Sequence, residues 1–179
     1  MVQEIPPHDK VAILVGGGPS LIWHVEEIQR GQARGHIVFA QNGAAQFLVH
    51  RGIVPDYQVI VDARPGTADL VCLAARKHLF CSHCDPQTIN KSICSTTLFH
   101  PNVEGIDDIV PPASEQECLF IGGSWTVGLV NMALAFGLGY RTMRLFGYDS
   151  SVQMVDMNPE TGRYSITKHH AYPQKLTEK

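Results

Sequence analysis

Several features that mark other classes of protein are absent from this 179-residue sequence. Charged residues make up 17% of it and the net charge is −3, so no basic surface typical of duplex nucleic-acid binding is expected. No apolar run reaches the roughly 18 residues that a membrane-spanning helix needs. The opening MVQEIPPHDK contains acidic residues and no apolar segment, unlike a secretory signal. We therefore expect a cytoplasmic protein without a membrane span.

Cysteine is scarce, and its five residues are an odd number, which argues against a complete disulfide framework. Cys81 and Cys84 form a Cys-x-x-Cys pair with histidines nearby, but no second ligand pair has the spacing of structural zinc. A thioredoxin-like pair would begin a helix, whereas Pro86 indicates that the next helix begins after Cys84. We predict free thiols that pack as small apolar groups.

Short apolar runs alternate with helix-like segments along the chain. The runs KVAILV, HIVFA and DYQVIVD are typical of buried parallel strands. Helical spacing is found in SLIWHVEEIQRG, NGAAQFLVHRG, GTADLVCLAARKH and SWTVGLVNMALAFGLG, and the last is apolar nearly all round, which predicts a buried helix. This order predicts an α/β protein with a Rossmann-like three-layer fold, a mostly parallel sheet and helices on both faces.

The same pattern suggests the domain boundaries. We expect a tail at residues 1–9, a Rossmann-like nucleotide-binding domain at 10–150 and an incomplete C-terminal extension at 151–179. The polar, proline-bearing segment PNVEGIDDIVPPASEQE predicts a long loop of a kind that is often functional. The segment NPETGRY predicts a turn, as in a hairpin.

Polar residues follow several of the predicted strands. Ligands of parallel α/β sheets bind beside the carboxyl ends of the strands. Asn42 follows the second strand, Asp62 the third, and Tyr148 and Asp149 the last. A carboxylate at this edge can hold Mg²⁺ or a ribose hydroxyl, although a lone Asp more often forms a turn or a cap.

Two glycine-rich turns begin helices. The first comprises Gly16, Gly17, Gly18, Pro19 and Ser20, and the second comprises Gly122, Gly123 and Ser124. Free backbone N–H groups at a helix start favour a phosphate, and Ser124 is also a suitable N-cap. The first turn has the spelling of neither a Walker loop nor a dinucleotide fingerprint. Each turn is therefore either a phosphate or sugar contact or a plain strand-to-helix turn.

The segments VGGGPSL, AQNGAAQFLVHRGIVPDYQVIVD and GGSWTVGLVNMALAFGLGYRTMRLFGYDSS, in this order, resemble the domain family around archaeal 6-hydroxymethyl-7,8-dihydropterin pyrophosphokinase. That family includes motility accessory factors linked to flagellin glycosylation. The resemblance implies transfer of diphosphate from ATP to a hydroxyl acceptor with Mg²⁺. It also implies that the first glycine turn cradles nucleotide phosphates, that Asn42 contacts the nucleotide, and that Asp62 and Asp149 hold Mg²⁺ or ribose. Arg64 would meet phosphate charge, unless it is an ordinary solvated arginine.

A more distant likeness connects the same segments with bacterial sialyltransferases that use CMP-sialic acid. It implies that CMP binds the glycine turn and Asn42, and that His169 or His170 acts as the base on an acceptor hydroxyl. Tyrosines would then steady the leaving phosphate, and Tyr148, Tyr164 and Tyr172 are near in sequence. The alternative is that both histidines are simply solvated.

Three functions therefore stay open. They are a diphosphokinase-like transferase, a nucleotide-sugar glycosyltransferase and a non-catalytic nucleotide-binding module. The expected partners are a small-molecule nucleotide and a hydroxyl acceptor, and the sequence is compatible with a homo-oligomer.

Overall fold

The structure is a computed structural model, and it describes residues 2–92, 96–102, 120–122, 126–150, 152–157, 164–168 and 170–171. Seven parallel strands form one sheet in the order β6-β5-β4-β3-β2-β1-β7. These strands are β1 (His8–Val15), β2 (Ile37–Gln41), β3 (Tyr57–Ile60), β4 (Lys77–Cys81), β5 (Thr96–Asn102), β6 (Phe120–Gly122) and β7 (Tyr140–Phe146). The predicted parallel α/β sheet is confirmed.

The helices cover both faces of this sheet. The described α-helices are α1 (Val25–Ala33), α2 (Ala44–Val49), α3 (Pro86–Asn90) and α4 (Val127–Gly137), and 3-10 turns span Pro19–His24 and Pro65–Leu70. Successive side chains of a strand point to opposite faces, so Ile13 and Leu14 of β1 enter different apolar cores. Ile13 packs in the core that includes Ile28 of α1, whereas Leu14 packs in the core that includes Leu134 of α4. The three-layer prediction is therefore correct.

The parallel strands bring their carboxyl ends to one side of the sheet. Val15, the last residue of β1, pairs with Ala40 of β2 and with Phe146 of β7. Ile60, the last residue of β3, pairs with Phe80 of β4. The loops that follow these strands therefore emerge together, at what is called the carboxyl edge below.

Two further strands, β8 (Val152–Met157) and β9 (Tyr164–Lys168), pair antiparallel. This pairing agrees with the turn predicted at NPETGRY, whose residues 158–163 lie outside the described part of the chain. Most of the long loop predicted between strands β5 and β6 also lies outside it.

The prediction of a helix over GTADLVCLAARKH is wrong. The segment holds the 3-10 turn at Pro65–Leu70, then irregular backbone and the start of β4. Besides the backbone N–H of Val71, which donates to the Ala68 carbonyl at 3.3 Å, side chains from outside the segment donate to its carbonyls. Lys91 Nζ lies 2.9 Å from the carbonyl oxygen of Ala68, and Gln58 Nε2 lies 2.7 Å from that of Leu70. Local periodicity cannot show these distant donors.

Helix α4 is less buried than its composition predicts. Leu129 and Phe136 are 53% and 55% exposed, although Leu134 is fully buried. The N-cap of α4 is Thr126, whose hydroxyl accepts from the N–H of Leu129 at 3.3 Å. The prediction that Ser124 caps this helix is therefore wrong.

The cysteine prediction is confirmed for the described residues, since Cys72, Cys81 and Cys84 are free and buried. Cys94 and Cys118 lie outside them. Within the described ranges, no helix has both the length and the apolar character needed to cross a bilayer.

Candidate functional site

The glycine turn after β1 packs against the residues that follow β7. Gly16 N–H donates to the Phe146 carbonyl and Gly18 N–H to the Gly147 carbonyl, each at 2.8 Å. A Cβ added to Gly16 would lie 2.4 Å from the Gly147 oxygen, and Gly147 itself has a φ of +67°. Glycine at 16 and 147 therefore lets two backbone segments approach closely, whether or not a ligand binds.

The carboxylate of Asp149 caps the 3-10 turn at Pro19–His24. The backbone N–H of Ser20 donates to Oδ2 at 2.7 Å, and its hydroxyl donates to Oδ1 at 2.5 Å. A Cβ on Gly18 would lie 2.4 Å from the same Oδ2. The start of a helical segment favours a negative charge, and here the chain supplies its own. Ser20, predicted as a phosphate contact, already serves this internal anion.

Tyr148 connects three elements through its hydroxyl. The oxygen accepts from Gln41 Nε2 and, at 3.3 Å, from Asn131 Nδ2, and the hydroxyl donates to the Gly128 carbonyl at 3.3 Å. Burial raises the pKa of Tyr148 well above its ordinary value, so the hydroxyl stays protonated. This hydroxyl therefore holds the end of β2, the start of α4 and the segment after β7 together.

Asn42, at the end of β2, has a left-handed backbone with a φ of +45°. Its carbonyl accepts from Gln58 Nε2 at 2.9 Å, and its N–H donates to the Val59 carbonyl at 3.0 Å. Its side-chain Oδ1 is buried, and no donor among the described residues reaches it. A buried acceptor without a partner is costly, which makes this atom suited to accept a hydrogen bond from a ligand.

Asp62 and Arg64 pair on the loop after β3. Arg64 Nε lies 3.0 Å from Asp62 Oδ1 and 2.9 Å from Oδ2, and the backbone N–H of Arg64 donates to Oδ1 at 2.9 Å. The hydrogen bonds and charge of Asp62 raise the pKa of Arg64. The Arg64 side chain is 75% exposed, so the pair contributes little to stability. To meet a phosphate, Arg64 must turn away from Asp62.

Side chains at the ends of β4 and β5 form two pairs that the sequence pattern did not predict as part of the site. His83 Nε2 donates to the Val61 carbonyl at 2.5 Å, which leaves Nδ1, 3.2 Å from Cys81 Sγ, to accept the thiol proton. Burial raises the pKa of Cys81, so the thiol keeps that proton. His100 Nδ1 lies 2.8 Å from Ser82 Oγ. Ser82 and His83 follow strand β4, just as Asn42 follows β2, so the same criterion would have identified them as candidates.

His170 lies against the glycine turn. Its Nδ1 is 3.2 Å from the Gly17 carbonyl oxygen, which also accepts from the N–H of Ala171 at 2.9 Å. Because a carbonyl only accepts, Nδ1 carries the proton and Nε2 carries the lone pair of the neutral ring. His169 lies outside the described residues, as do Gly123 and Ser124.

The described residues of the predicted site therefore lie at the carboxyl edge, but they follow strands that are far apart in the sheet. The glycine turn, Asn42, Tyr148, Asp149 and His170 belong to the neighbouring strands β2, β1 and β7 or contact their ends. Gly122 ends β6, with four strands between it and β1, which is about 24 Å across the sheet. The two glycine turns therefore cannot hold the same phosphate.

Metal binding would depend on few protein ligands. Among the described residues, no group of three or more His, Cys, Asp or Glu side chains could hold a metal ion. The strands that precede Asp62 and Asp149 are three positions apart, or about 14 Å across the sheet. This donor set suits Mg²⁺ held by one carboxylate with phosphate oxygens and water, and it does not suit a resident metal centre.

The parallel sheet, with helices on both faces and a glycine turn at its carboxyl edge, defines a Rossmann-like domain. A family model described as 6-hydroxymethylpterin diphosphokinase MptE-like matches residues 2–154, and the chain belongs to this family. The resemblance inferred from the sequence is therefore confirmed.

The comparison with solved structures supports the same fold. The structure of a MAf glycosyltransferase from Magnetospirillum magneticum AMB-1 is similar, with a TM-score of 0.66 and 18% sequence identity. The match covers 94% of this chain and 30% of that one, so this chain spans less than a third of that protein. At this identity the likeness shows the fold alone. No curated protein matches the sequence.

Proposed function

We propose that this protein is a nucleotide-dependent transferase that binds its nucleotide at the carboxyl edge of β1 and β2. The buried Oδ1 of Asn42, which no described donor reaches, carries this proposal. A ribose hydroxyl or a base amino group supplies the missing donor. The phosphates would lie beside the neighbouring glycine turn, where they would displace Asp149 from Ser20 or share it through a metal ion, and the family description supports transfer chemistry.

The first candidate reaction transfers diphosphate from ATP to a hydroxyl acceptor. The acceptor hydroxyl oxygen loses its proton to solvent and bonds to the β-phosphorus, and AMP leaves with the electrons of the broken P–O bond. Mg²⁺, when bound, neutralises phosphate charge, and Asp62 or Asp149 would hold it. Arg64 would turn from Asp62 toward the transferred group. The protein's part is then mainly positioning and charge neutralisation.

The second candidate is glycosyl transfer from a CMP-linked donor, and the position of His170 favours it. The Nδ1–H of His170 donates to the Gly17 carbonyl, which directs the lone pair of Nε2 elsewhere. An imidazole fixed in this tautomer suits a general base that removes the proton of an acceptor hydroxyl. The fold shared with a MAf glycosyltransferase is compatible with this reaction.

A thermal-shift panel of ATP, GTP, CTP, CMP and CDP, each with and without Mg²⁺, tests the proposal. A ligand at about 100 times its Kd should stabilise the folded state by roughly 2.7 kcal/mol. Stabilisation by ATP that needs Mg²⁺ would support diphosphate transfer, and stabilisation by CMP without metal would support glycosyl transfer. An unchanged Tm across the panel would contradict nucleotide binding.

Variants of two asparagines locate the binding site. Asn42→Gly removes Oδ1 while keeping the left-handed backbone, because glycine adopts that conformation freely. The matched control is Asn90→Ala, at an exposed position of α3. We expect the ligand-induced shift in Tm to shrink in Asn42→Gly and to persist in Asn90→Ala. Equal shifts in both variants would remove Asn42 from the site.

A further inference from the structure

We propose that Gln58 is a positioning residue that fixes Asn42 for its ligand, an inference that rests on the proposed function. Gln58 belongs to β3 and is fully buried, and its place inside the strand run DYQVIVD gives no sign of a role at the site. A carboxamide in the middle of an apolar sheet requires partners for its donors and its acceptor. Those partners lie on two loops at the carboxyl edge.

The side chain of Gln58 bridges these loops through three hydrogen bonds. Nε2 donates to the Asn42 carbonyl at 2.9 Å and to the Leu70 carbonyl at 2.7 Å. Oε1 accepts from the backbone N–H of Cys72 at 2.8 Å. One rigid amide plane therefore sets the distance between the turn after β2 and the segment that follows the 3-10 turn at Pro65–Leu70.

Asn42 needs this support because its backbone is in an unfavourable region. A φ of +45° is uncommon for any residue except glycine, although Asn tolerates it best. The other described donor to its carbonyl is the N–H of Ala45, at a longer 3.4 Å. Without Gln58 the turn can relax toward a negative φ, and Oδ1 would then move from the position in which it meets a ligand.

Gln46 provides a matched control for this role. Its Nε2 donates to the Asp69 carbonyl at 2.9 Å and lies 3.5 Å from that of Val71. It thus fastens the same segment as Gln58, and it has no hydrogen bond to Asn42. If Gln58 acts only by holding that segment, replacing either glutamine should have the same effect on ligand binding.

The test is a double-mutant cycle. Gln58→Met and Gln46→Met are each made in the wild-type and the Asn42→Gly background, and calorimetry measures the Kd of CMP and of ATP with Mg²⁺. We expect Gln58→Met to weaken binding about tenfold in the wild-type background and less than about twofold in Asn42→Gly. Gln46→Met should change Kd less than about twofold in both. Equal losses from Gln58→Met in the two backgrounds would overturn the proposal.

A measurement without ligand separates this proposal from the proposed function. With asparagine labelled by ¹³C, the Cα and Cβ chemical shifts of Asn42 report its left-handed backbone. We expect them to change in Gln58→Met and not in Gln46→Met, and unchanged shifts in Gln58→Met would overturn the proposal. If wild type binds neither probe, the proposed function fails, while these shifts still decide the role of Gln58. If Gln58→Met does not fold, Gln58→Asn, which keeps a shorter carboxamide, takes its place with the same expected direction.

Discussion

The carboxylate of Asp149 accepts hydrogen bonds from both the backbone N–H and the hydroxyl of Ser20, at 2.7 and 2.5 Å. These two residues follow β7 and β1, so the contact joins the ends of two adjacent strands. The N–H and the hydroxyl of Ser20, which a phosphate at this turn would use, are thereby engaged with an anion of the chain, and the N–H groups of Gly16 and Gly18 donate to carbonyls. A phosphate that binds Ser20 must displace Asp149, or share it through a metal ion.

Variants of this pair separate a structural cap from a metal ligand. Because the hydrogen bonds are exposed, Ser20→Ala should lower the free energy of unfolding by about 1 kcal/mol, measured by urea denaturation. Asp149→Asn should weaken ATP binding in the presence of Mg²⁺ about tenfold and leave metal-free CMP binding within about twofold, since only the first needs the charge. Asp69→Asn, at an exposed carboxylate, is the control. An equal loss for both nucleotides would exclude a metal role for Asp149.

Close backbone packing at the glycine turn predicts a large cost for one methyl group. Gly16→Ala places a Cβ 2.4 Å from the Gly147 carbonyl oxygen, so we expect the free energy of unfolding to fall by about 1–3 kcal/mol. A Cβ at Gly66 meets no atom within 4 Å, so Gly66→Ala should be neutral within about 1 kcal/mol. Urea denaturation of both variants measures this. Equal stabilities would contradict the close approach.

The strands of the parallel sheet could be predicted from the sequence, because the local pattern of apolar residues determines them. Apolar runs ending in glycine or a polar residue identified the parallel strands, because a strand buried on both faces needs continuous apolar residues. The helix predicted over GTADLVCLAARKH was wrong because side chains far along the chain satisfy its carbonyls. Lys91 Nζ, for example, lies 2.9 Å from the Ala68 carbonyl oxygen, 23 positions away. Such contacts exist only after folding.

The position of the candidate site could be predicted from the sequence, but the hydrogen-bond partners of its residues could not. Asn42, Asp62 and Asp149 were placed at the carboxyl edge because they follow strands, and the structure puts them there. Their partners could not be inferred, because Ser20 and Asp149 are 129 positions apart and meet only through the pairing of β1 with β7. Gln58 was missed because its side chain acts from the middle of a strand.

The buried hydroxyl of Tyr148 predicts a stability effect. Tyr148→Phe removes the acceptor of the Gln41 and Asn131 amides, which are 6% and 0% exposed, so the free energy of unfolding should fall by about 1–2 kcal/mol. Tyr57→Phe keeps a ring that stacks on Phe39 at 4.6 Å and serves as the control. Weaker nucleotide binding with unchanged stability would instead assign the Tyr148 hydroxyl to the ligand.

Tyr140 predicts a loss of stability in alkali. Burial, followed by the neighbouring Tyr57 and Asp56, raises the pKa of Tyr140 from 10.0 to about 12. Because the folded state holds this proton more tightly, the stabilisation is fully present below pH 10.0 and is lost as pH rises toward about 12. Urea denaturation between pH 10.0 and about pH 12 should show that the free energy of unfolding falls as pH rises. The fall should be less steep in Tyr140→Phe. Identical slopes would contradict the raised pKa.

Thiol labelling checks the burial of the Cys-x-x-Cys pair. Burial raises the pKa of Cys84 to about 12, and only the thiolate reacts with iodoacetamide. At pH 8 we expect Cys84 to react at least about a hundredfold more slowly in the native protein than in urea, measured by peptide mass spectrometry. Similar rates in the two states would show that the thiol is accessible.

Hydrogen exchange with and without nucleotide shows whether a nucleotide binds at the carboxyl edge. The wild-type protein is labelled alone, with ATP and Mg²⁺, and with CMP, and exchange is followed by mass spectrometry. We expect at least one of these nucleotides to protect peptides covering Gly16–Ser20, Asn42 and Gly147–Asp149, at the carboxyl edge of β1, β2 and β7. Protection confined to the opposite edge, around Gly35 and Gly139, or no protection by either nucleotide, would contradict it.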